Sequence, residues 1–274
     1  MTIDTWIKQA TVELVGVGIG TAKLDTELIL AHTLRKPRTF LHAHGDEVLS
    51  DRHEEIADSR LQLRLDRIPL AYIIGHKEFY GRRFKVTPAV LIPRPESEAV
   101  IEMLKELLPN TKALFKDMKR LIDIGTGSGN LGITAKLEFP ELDVTLSDLS
   151  HHALTIARTN ADSLQADVTV LKSDLLTEYV FTPDIILANL PYVDESWERS
   201  PETNHEPSEA LFARGNGLAL INTLIEQAGL RLKQEAFMLL EADPEQHAAI
   251  IAHAKKHHFS HMQTLDYCIA LKKE

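Results

Sequence analysis

The fold is decided by the stretch RLIDIGTGSG, residues 120–129. Its first half, 120–124, is mostly aliphatic and has the pattern of a buried strand, and its second half alternates glycine with small polar residues. Glycine lets the backbone turn sharply from a strand into a helix and pass close to a ligand. A helix follows to about Phe139, where Pro140 stops it. The order of strand, glycine turn and helix predicts the start of an α/β sheet.

The alternation of strand and helix patterns continues to the end of the chain. Further strands are predicted at 143–146, 168–171, 184–188 and 236–241, and the tail 264–272 adds the last strand or strands. The predicted helices run from an N-cap at Ser150 to residue 161, over 218–233 and over 245–257. Such alternation is typical of a sheet covered by helices on both faces, so we expect an α/β, Rossmann-like fold.

The first 75 residues have a different pattern, that of a small helical bundle. Apolar residues recur at helical spacing over 2–14 and 21–34. Ser50 is placed to cap a third helix that runs to about Asp66. No catalytic constellation is visible in this segment, so we expect a scaffold or a partner-binding domain.

A hairpin and a stiff linker separate the two patterns. Two short β-prone runs flank Gly81, and Pro93-Arg94-Pro95 then imposes an extended backbone. Arg94, held between prolines, is expected either to form an ion pair at the domain interface, the more common arrangement, or to contact a ligand carboxylate. The chain is therefore divided into a helical domain at 1–75, a β-hairpin and linker at 76–95 and a sheet domain at 96–274.

The composition is that of an ordinary globular protein. Hydrophobic residues make up 44% of the 274 residues and charged residues 26%, and no apolar run reaches the roughly 20 residues that span a bilayer. No secretory signal is visible, and the single cysteine, Cys268, cannot form an internal disulfide. The net charge of -10 argues against bulk nucleic-acid binding, because phosphate contacts need clustered Lys and Arg. We expect a cytoplasmic monomer without membrane contact.

Four predicted strands end in residues that suit ligand contacts: the glycine loop 125–129, Asp148, Asp174 and Asn189. Ligands of open α/β sheets bind beyond the carboxyl ends of the strands, so these residues are expected at one site. Asn130 stands where a dinucleotide fingerprint has its third glycine, and the loop lacks a P-loop lysine. A nucleoside without phosphates fits, with Asp148 on the ribose diol about 20 residues after the loop and Asp174 on the adenine amino group. Adenosine with a phosphate-free tail points to S-adenosylmethionine (SAM).

The strand at 184–188 leads into Asn189-Leu190-Pro191-Tyr192, which suits a planar amide or amino group. A carboxamide nitrogen is a weak nucleophile, because its lone pair is delocalised into the carbonyl. Two neutral acceptors, the Asn189 side-chain oxygen and the Leu190 carbonyl, would hold its two N–H bonds and stabilise the positive charge that develops during attack on a methyl group. Alignment of nitrogen, methyl and sulfonium supplies further rate, and Tyr192 would stack on the planar group.

Further motifs give the chain a resemblance to a known family. They are LDTELIL at 24–30, PLAYIIG at 69–75, EFYG at 78–81, LIPRPE at 91–96, EP at 206–207, AL at 210–211 and GL at 217–218. Together with the glycine loop and the Asn189 motif, they span nearly the whole chain. The chain resembles the release-factor glutamine methyltransferases, which methylate the side-chain amide of the glutamine in the Gly-Gly-Gln tripeptide of peptide chain release factors. The glycine loop alone indicates a methyltransferase, whereas the hairpin, the linker and the helical domain point to this family.

The resemblance implies a fold, a cofactor and a set of site residues. The fold is a SAM-dependent methyltransferase domain with the family's mixed seven-stranded sheet, preceded by a helical domain that binds the release factor. SAM is the methyl donor, S-adenosyl-L-homocysteine is the product, and no metal takes part. The residues implied to bind SAM are Gly125, Thr126, Gly127, Ser128, Gly129, Asp148, Asp174, Leu175 and Asn189. Those implied to clasp the glutamine amide and to carry catalysis are Asn189, Leu190, Pro191 and Tyr192.

Three residues depart from the family pattern. Leu190 replaces the first proline of Asn-Pro-Pro-Tyr, His205 stands where an aromatic usually precedes Glu-Pro, and Leu175 replaces a large aromatic beside the adenine. The loss of a proline makes the turn less rigid, and the loss of an aromatic ring reduces the stacking surface. None of the three changes removes a group that the chemistry requires.

Two other functions stay open. A nucleic-acid amino methyltransferase can use the same pair of acceptors, but it needs a flipped base and a basic groove. The net charge of -10 and the lack of a Lys/Arg cluster near the Asn189 motif disfavour it. The other function, a weakly active protein that docks on release factors, is suggested by Leu190 and Leu175.

Two segments outside these motifs carry expectations of their own. His253, His257 and His261 recur four residues apart, a spacing of metal ligands on a helix, but no clustered acid or cysteine completes a set. A solvated helix end is therefore the default interpretation. The charged segment 194–206 is long for a connection and is expected to cover the substrate peptide as a lid. Cys268 is expected to be a small buried residue of a strand.

Overall fold

The computed structural model of this chain describes residues 1–110 and 120–274. These residues form two units. The first contains Met1–His76 and Arg199–His205, and the second contains Lys77–Glu198 and Glu206–Glu274. None of the helices in the described ranges is long and apolar enough to cross a membrane.

The first unit is helical, as predicted. Its helices are α1 (Ile3–Gly16), α2 (Ala22–Leu34), α3 (Arg38–Ala43), α4 (Asp51–Leu65) and α5 (Leu70–Ile74). Trp6, Leu14, Ile29 and Leu30 are buried in its core. The predicted cap of α4 is present, because Ser50 Oγ accepts a hydrogen bond from the His53 N–H at 3.3 Å. The short helices α3 and α5 were not predicted, since neither is long enough to show a helical period.

Residues 199–205 of the charged segment belong to this helical unit. Glu202 accepts two hydrogen bonds from the Arg64 guanidinium, both at 3.1 Å, and Asp25 accepts a third at 2.7 Å. Arg64 is buried, so its charge needs carboxylate partners. The prediction placed this segment in the sheet domain 96–274. In the structure residues 199–205 belong to the helical unit instead, where Glu202 is a carboxylate partner of Arg64.

The second unit contains a hairpin and a large sheet. Its strands are β1 (His76–Phe79), β2 (Arg82–Lys85), β3 (Arg120–Ile124), β4 (Asp143–Asp148), β5 (Thr169–Lys172), β6 (Ile185–Ala188), β7 (Phe237–Glu241), β8 (Phe259–Leu265) and β9 (Cys268–Lys273). Its helices are α6 (Glu98–Asn110), α7 (Asn130–Glu138), α8 (His151–Leu164), α9 (Ser208–Leu211), α10 (Ala219–Arg231) and α11 (His247–Lys256). The hairpin turn is Tyr80-Gly81, and both residues have positive φ, 50° and 70°, which is the signature of a two-residue type I′ turn.

The large sheet has seven strands in the order β5-β4-β3-β6-β7-β9-β8. The strands from β5 to β7 pair in parallel, and β9 pairs antiparallel with both β7 and β8. The mixed seven-stranded sheet that the resemblance implied is confirmed. The strand order reverses at β3, which has β4 on one side and β6 on the other. Parallel sheets bind ligands at such a reversal, beyond the carboxyl ends of the strands.

Alternate residues of the central strands pack into two separate cores. Leu121 of β3 and Leu187 of β6 belong to one cluster, whereas Ile122 and Ile186 belong to the other. Side chains of a strand point alternately to its two faces, so helices must cover both faces of this sheet. The unbroken apolar runs of the sequence reflect this double burial.

The C-terminal end differs from the sequence prediction in one respect. α11 ends at Lys256, and His261 lies on strand β8 instead of on a further turn of helix. The four-residue spacing of the three histidines therefore does not place them on one helical face. Cys268 is buried in β9, as expected.

Candidate active site

The glycine loop 125–129 joins β3 to α7 at the carboxyl edge of the sheet. Its three glycines have positive φ, with values of 67° at Gly125, 55° at Gly127 and 83° at Gly129. L side chains rarely adopt this conformation. A Cβ atom on Gly129 would also lie 2.6 Å from Ile133 Cδ1. The loop therefore requires glycine for its shape.

Asp123, in strand β3, anchors the loop from within the sheet. Its Oδ2 accepts hydrogen bonds from Thr126 Oγ1 at 2.5 Å and from the Gly132 N–H at 2.9 Å. Burial raises the pKa of the Asp123 carboxyl to about 6, because the buried carboxylate loses its hydration. Asp123 was not among the predicted site residues, although an acid inside an aliphatic strand is a visible signal.

Asp148 holds the same loop from the end of strand β4. Its Oδ2 accepts from the Gly127 N–H at 2.9 Å, and its Oδ1 accepts from the Ser150 N–H at 2.8 Å. Burial raises the pKa of Asp148, and these backbone hydrogen bonds oppose that rise. Each carboxylate oxygen can accept more than one hydrogen bond, so Asp148 keeps acceptor capacity for a ligand.

The glycine loop and the other strand ends border one cavity of about 510 Å³, a size common among small-molecule sites. The predicted site residues in its lining are Gly125, Thr126, Gly127, Ser128, Asp148, Asp174, Leu175, Asn189, Leu190 and Pro191. Two predicted residues lie outside the lining. Gly129 faces Ile133 and Ala157, and Tyr192 packs behind the turn.

Asp174 and Leu175 form the wall of the cavity beyond β5. The Leu175 side chain is buried against one core of the sheet, and its φ is 51°, which is unusual for a branched aliphatic residue. Asp174 is exposed, so its carboxylate is reachable by a ligand. Ser173 Oγ donates to the Leu175 carbonyl at 2.8 Å and fixes this bend.

Asn189 follows β6 and is oriented by two groups behind it. Its Nδ2 donates to Ser97 Oγ at 3.1 Å. Burial raises the pKa of the nearby Glu241 carboxyl, and the polar groups of Ser97, Tyr192 and Asn189 oppose that rise. Glu241 Oε2 has no hydrogen-bond partner among the described residues. With its Nδ2 committed to this side, Asn189 keeps Oδ1 as an acceptor for a ligand.

Leu190 is held by packing where the family usually has proline. Its side chain is 4% exposed and belongs to the core that covers one face of the sheet. A Cβ atom on Gly125 would lie 2.9 Å from Leu190 Cδ2. The Leu190 side chain therefore fills the space beside the first glycine of the loop, and burial supplies part of the restraint that a proline ring would give.

The backbone of Tyr192 is fixed by residues from the far end of the chain. Gln246 Nε2 donates to the Tyr192 carbonyl at 2.9 Å and to the Asn216 carbonyl at 2.8 Å. A Cβ atom on Gly217 would overlap the Tyr192 carbonyl oxygen. The Tyr192 hydroxyl donates to Glu241 Oε1 at 3.4 Å. Burial raises the pKa of this hydroxyl. The ring is thus tied inward, toward Glu241.

Arg94 pairs with a carboxylate inside the second unit and not across a domain interface. Its guanidinium donates to Glu206 Oε1, while Glu206 Oε2 accepts from the Ile92 N–H at 3.1 Å. Glu206 is buried, so the pair fixes the proline-flanked segment against residue 206. The Leu-Ile-Pro-Arg-Pro segment and the Glu-Pro motif are thus joined by direct hydrogen bonds.

Asn160 of α8 links the hairpin to the glycine loop. Its Oδ1 accepts from the Lys85 N–H at 2.7 Å, and its Nδ2 donates to the carbonyls of Lys85 at 3.0 Å and Ser128 at 2.8 Å. This residue was not among the predicted site residues, and neither were Ser97, Glu241 and Gln246. Each acts from a separate element of the fold, and none lies within a recognisable local motif.

Comparisons with known proteins agree with this arrangement. Residues 5–75 match the model of the PrmC N-terminal domain, and residues 98–207 match that of the methyltransferase small domain. A release factor glutamine methyltransferase of Neisseria gonorrhoeae is 35% identical over 97% of this chain and 93% of its own length. One from Koribacter versatilis is 36% identical over 89% of each chain.

The chain belongs to the release factor glutamine methyltransferase family. The match runs through both units, so the helical unit is part of the family's architecture as well as the sheet.

Solved structures at lower identity agree with the family's fold. The T. thermophilus 16S rRNA N2 G1207 methyltransferase in complex with AdoMet and guanosine has a TM-score of 0.53 and 15% identity. The match covers 73% of this chain and 49% of that one. A methyltransferase from Pyrococcus furiosus has a TM-score of 0.50 and 18% identity over 78% of this chain and 95% of its own. At such identities the likeness concerns the methyltransferase fold.

Proposed function

We propose that this chain transfers a methyl group from SAM to the side-chain amide nitrogen of the glutamine in the Gly-Gly-Gln motif of peptide chain release factors. The observation that carries the proposal is the position of Asn189 and Leu190. Both line the cavity that the glycine loop and Asp148 also border, in a chain of the release factor glutamine methyltransferase family.

The charge of the cavity supports SAM as its ligand. Four carboxylates line it, those of Asp123, Asp148, Asp174 and Glu209. Its guanidinium, Arg94, is paired with Glu206. An acidic lining attracts a cation such as the sulfonium and amino groups of SAM, and it disfavours phosphates. Gly125 to Ser128 and Asp148 would hold the adenosine part, with Asp174 and Leu175 beside the base. The bound cofactor supplies an electrophilic methyl group.

Asn189 and Leu190 would position and activate the glutamine amide. The Asn189 Oδ1 and the Leu190 carbonyl accept its two N–H bonds and stabilise positive charge as it grows on nitrogen. Ser97 keeps the Asn189 amide turned so that its oxygen is the group presented to the substrate. Pro191 restricts Leu190 to extended geometry, and Tyr192 forms the inner wall of the turn. The helical unit would bind the release factor, and we expect a cytoplasmic monomer.

The experiment that tests the function is a transfer of label. The purified chain is incubated with methyl-labelled SAM and with release factors that carry either the native glutamine or alanine at that position. We expect label on the native factor and none on the altered one. Equal labelling of both factors would overturn the proposed substrate.

Two controls separate the competing functions. DNA and RNA are offered under the same conditions, and label that reaches nucleic acid but no protein would favour an amino methyltransferase of bases. Calorimetric titration with SAM is run in parallel. SAM binding without any transfer would favour a protein that docks on release factors without modifying them.

A further inference from the structure

Two of the histidines that the sequence left unexplained meet an acid from a neighbouring helix. His253 lies in α11, His257 caps its C-terminal end, and Glu226 lies in α10. One ligand atom from each of the three residues lies within 4.8 Å of the others. The third histidine, His261, is on β8, where its Nε2 bonds with Thr264 Oγ1 at 2.9 Å. The acid that was missing from the sequence pattern is thus supplied by the fold.

The side chains of this cluster approach one another, but His253 and Glu226 do not form a hydrogen bond with each other. His253 Nε2 is 3.3 Å from Glu226 Oε1, yet this buried nitrogen makes no hydrogen bond within the described residues. The rings of His253 and His257 have centroids 4.7 Å apart and are tilted by 41°. A buried ring nitrogen without a hydrogen bond costs free energy, and Glu226 offsets this cost only as an ion-pair partner of a protonated His253.

A glycine brings the two helices close enough for this cluster to form. A Cβ atom on Gly229 would lie 3.0 Å from His257 Cβ and 3.1 Å from its carbonyl oxygen. Gly229 follows Glu226 by one turn of α10, so the close approach occurs directly beside the cluster. A side chain at this position would therefore require a neighbouring group such as His257 to shift by a few tenths of an ångström.

We propose that Glu226, His253 and His257 form a binding site for a divalent transition-metal ion of the zinc class. Two imidazoles and one carboxylate are a common ligand set for such ions, with water in the remaining position. Ligand atoms around zinc lie about 2.0–2.2 Å from the ion, so the three side chains must close in by rotation. Glu226 is 53% exposed, and its exposed side leaves room for the water.

The ion would join α10 to α11 on one side of the sheet. The cluster lies outside the cavity, because none of its three residues is in the cavity lining. The site therefore takes no part in the proposed methyl transfer. A ligand that binds only the folded state raises stability by mass action, so the ion raises the melting temperature.

The experiment is a metal titration of the full chain after treatment with chelator. Co²⁺ binding is followed by its visible absorption, and Zn²⁺ affinity is obtained by competition with Co²⁺. We expect one equivalent bound at micromolar concentrations and a higher melting temperature with Zn²⁺. Glu226→Gln should weaken the affinity by about tenfold or more, and His253→Gln should abolish the Co²⁺ spectrum.

His261→Gln is the matched control, because it removes a nearby histidine outside the cluster. It should leave metal affinity unchanged. The proposal is overturned if His253→Gln binds Zn²⁺ as tightly as the native chain, or if Zn²⁺ leaves the native melting temperature unaltered. Circular dichroism of each variant identifies any loss of fold, and the exposed Glu226 gives a second variant that does not disturb the core. Failure of methyl transfer leaves these outcomes unaffected.

Discussion

The two loops that border the cavity are held in place by different means. The glycine loop 125–129 is bound by carboxylates that lie close to it in sequence, Asp123 in the preceding strand and Asp148 in the next. The turn at 189–192 is bound by Ser97 and Gln246, which lie 92 and 54 residues from their partners. The first loop is held mainly by contacts close in sequence, with one longer contact from Asn160 to the Ser128 carbonyl, whereas the contacts of the second depend on the completed fold.

This difference fits the tasks proposed for the two loops. A cofactor loop must offer the same backbone shape in every turnover, and buried carboxylates that bind N–H groups supply it. The turn must present two acceptors to a planar amide at a defined angle, where small displacements are costly. Long-range anchors from β7 and from the residues directly before α6 and α11 therefore couple the geometry of this turn to the stability of the sheet domain.

Asn189→Ala removes the side-chain acceptor of the turn at 189–192, and we expect it to have the largest effect on the rate of methyl transfer. Loss of one such group from a preorganised site lowers the rate by about 10²–10³-fold. Single-turnover transfer to a release factor at saturating SAM measures it. Asn204→Ala, at an exposed position, is the control. A fall of less than about tenfold would mean that the Leu190 carbonyl is sufficient alone.

Asp123→Asn tests the local anchor of the glycine loop. The amide oxygen can still accept from both Thr126 and Gly132, but the amide brings two buried N–H donors where the protonated carboxyl has one O–H, so we expect a loss of about 1–3 kcal/mol in unfolding free energy. The native carboxyl has a folded-state pKa of about 6 against an ordinary 3.8. Between these values the folded chain holds a proton that the unfolded chain has lost, so native stability falls as pH rises from about 4 to about 6.

Urea unfolding of native and variant chains across that pH range measures this contribution. The difference in unfolding free energy between the native and variant chains should be largest near pH 4. It should become smaller as the pH rises toward 6, because only the native chain has the titrating group. Asp143→Asn, at the exposed start of β4, serves as control. If this difference in unfolding free energy instead increases with pH, then the fold stabilises the ionised form of Asp123.

A pair of glycines tests how tightly the turn is confined. Gly215 and Gly217 both have positive φ, 66° and 80°. A Cβ atom at Gly215 would meet only atoms 3.9 Å or more away, whereas at Gly217 it would overlap the Tyr192 carbonyl. Gly217→Ala should therefore destabilise the chain by about 1–3 kcal/mol more than Gly215→Ala. Equal losses in thermal unfolding would show that Tyr192 can move freely.

The contrast between local and long-range contacts also explains which features could be predicted from the sequence. The α/β fold, the glycine loop and Asp148 follow from local patterns, because strand periodicity and glycine spacing are visible over a few residues, whereas the mixed seven-stranded sheet was implied by the family resemblance. Ser97, Glu241 and Gln246 look like ordinary serine, glutamate and glutamine until the topology brings them behind the turn. The membership of residues 199–205 in the helical unit depends on Arg64 and Glu202, which lie 138 residues apart. Such pairings carry no local signal.

Ser97→Ala should have the smallest effect on methyl transfer among these substitutions. It tests whether Ser97 acts through Asn189. The substitution removes the acceptor that turns the Asn189 amide. It should lower methyl transfer by about tenfold, the rate equivalent of one hydrogen bond. If Ser97 only orients Asn189, then the same substitution in an Asn189→Ala background should have almost no further effect, because the group that it orients is already absent. A tenfold loss in both backgrounds would instead show that Ser97 contacts the cofactor or substrate itself, since independent contributions multiply.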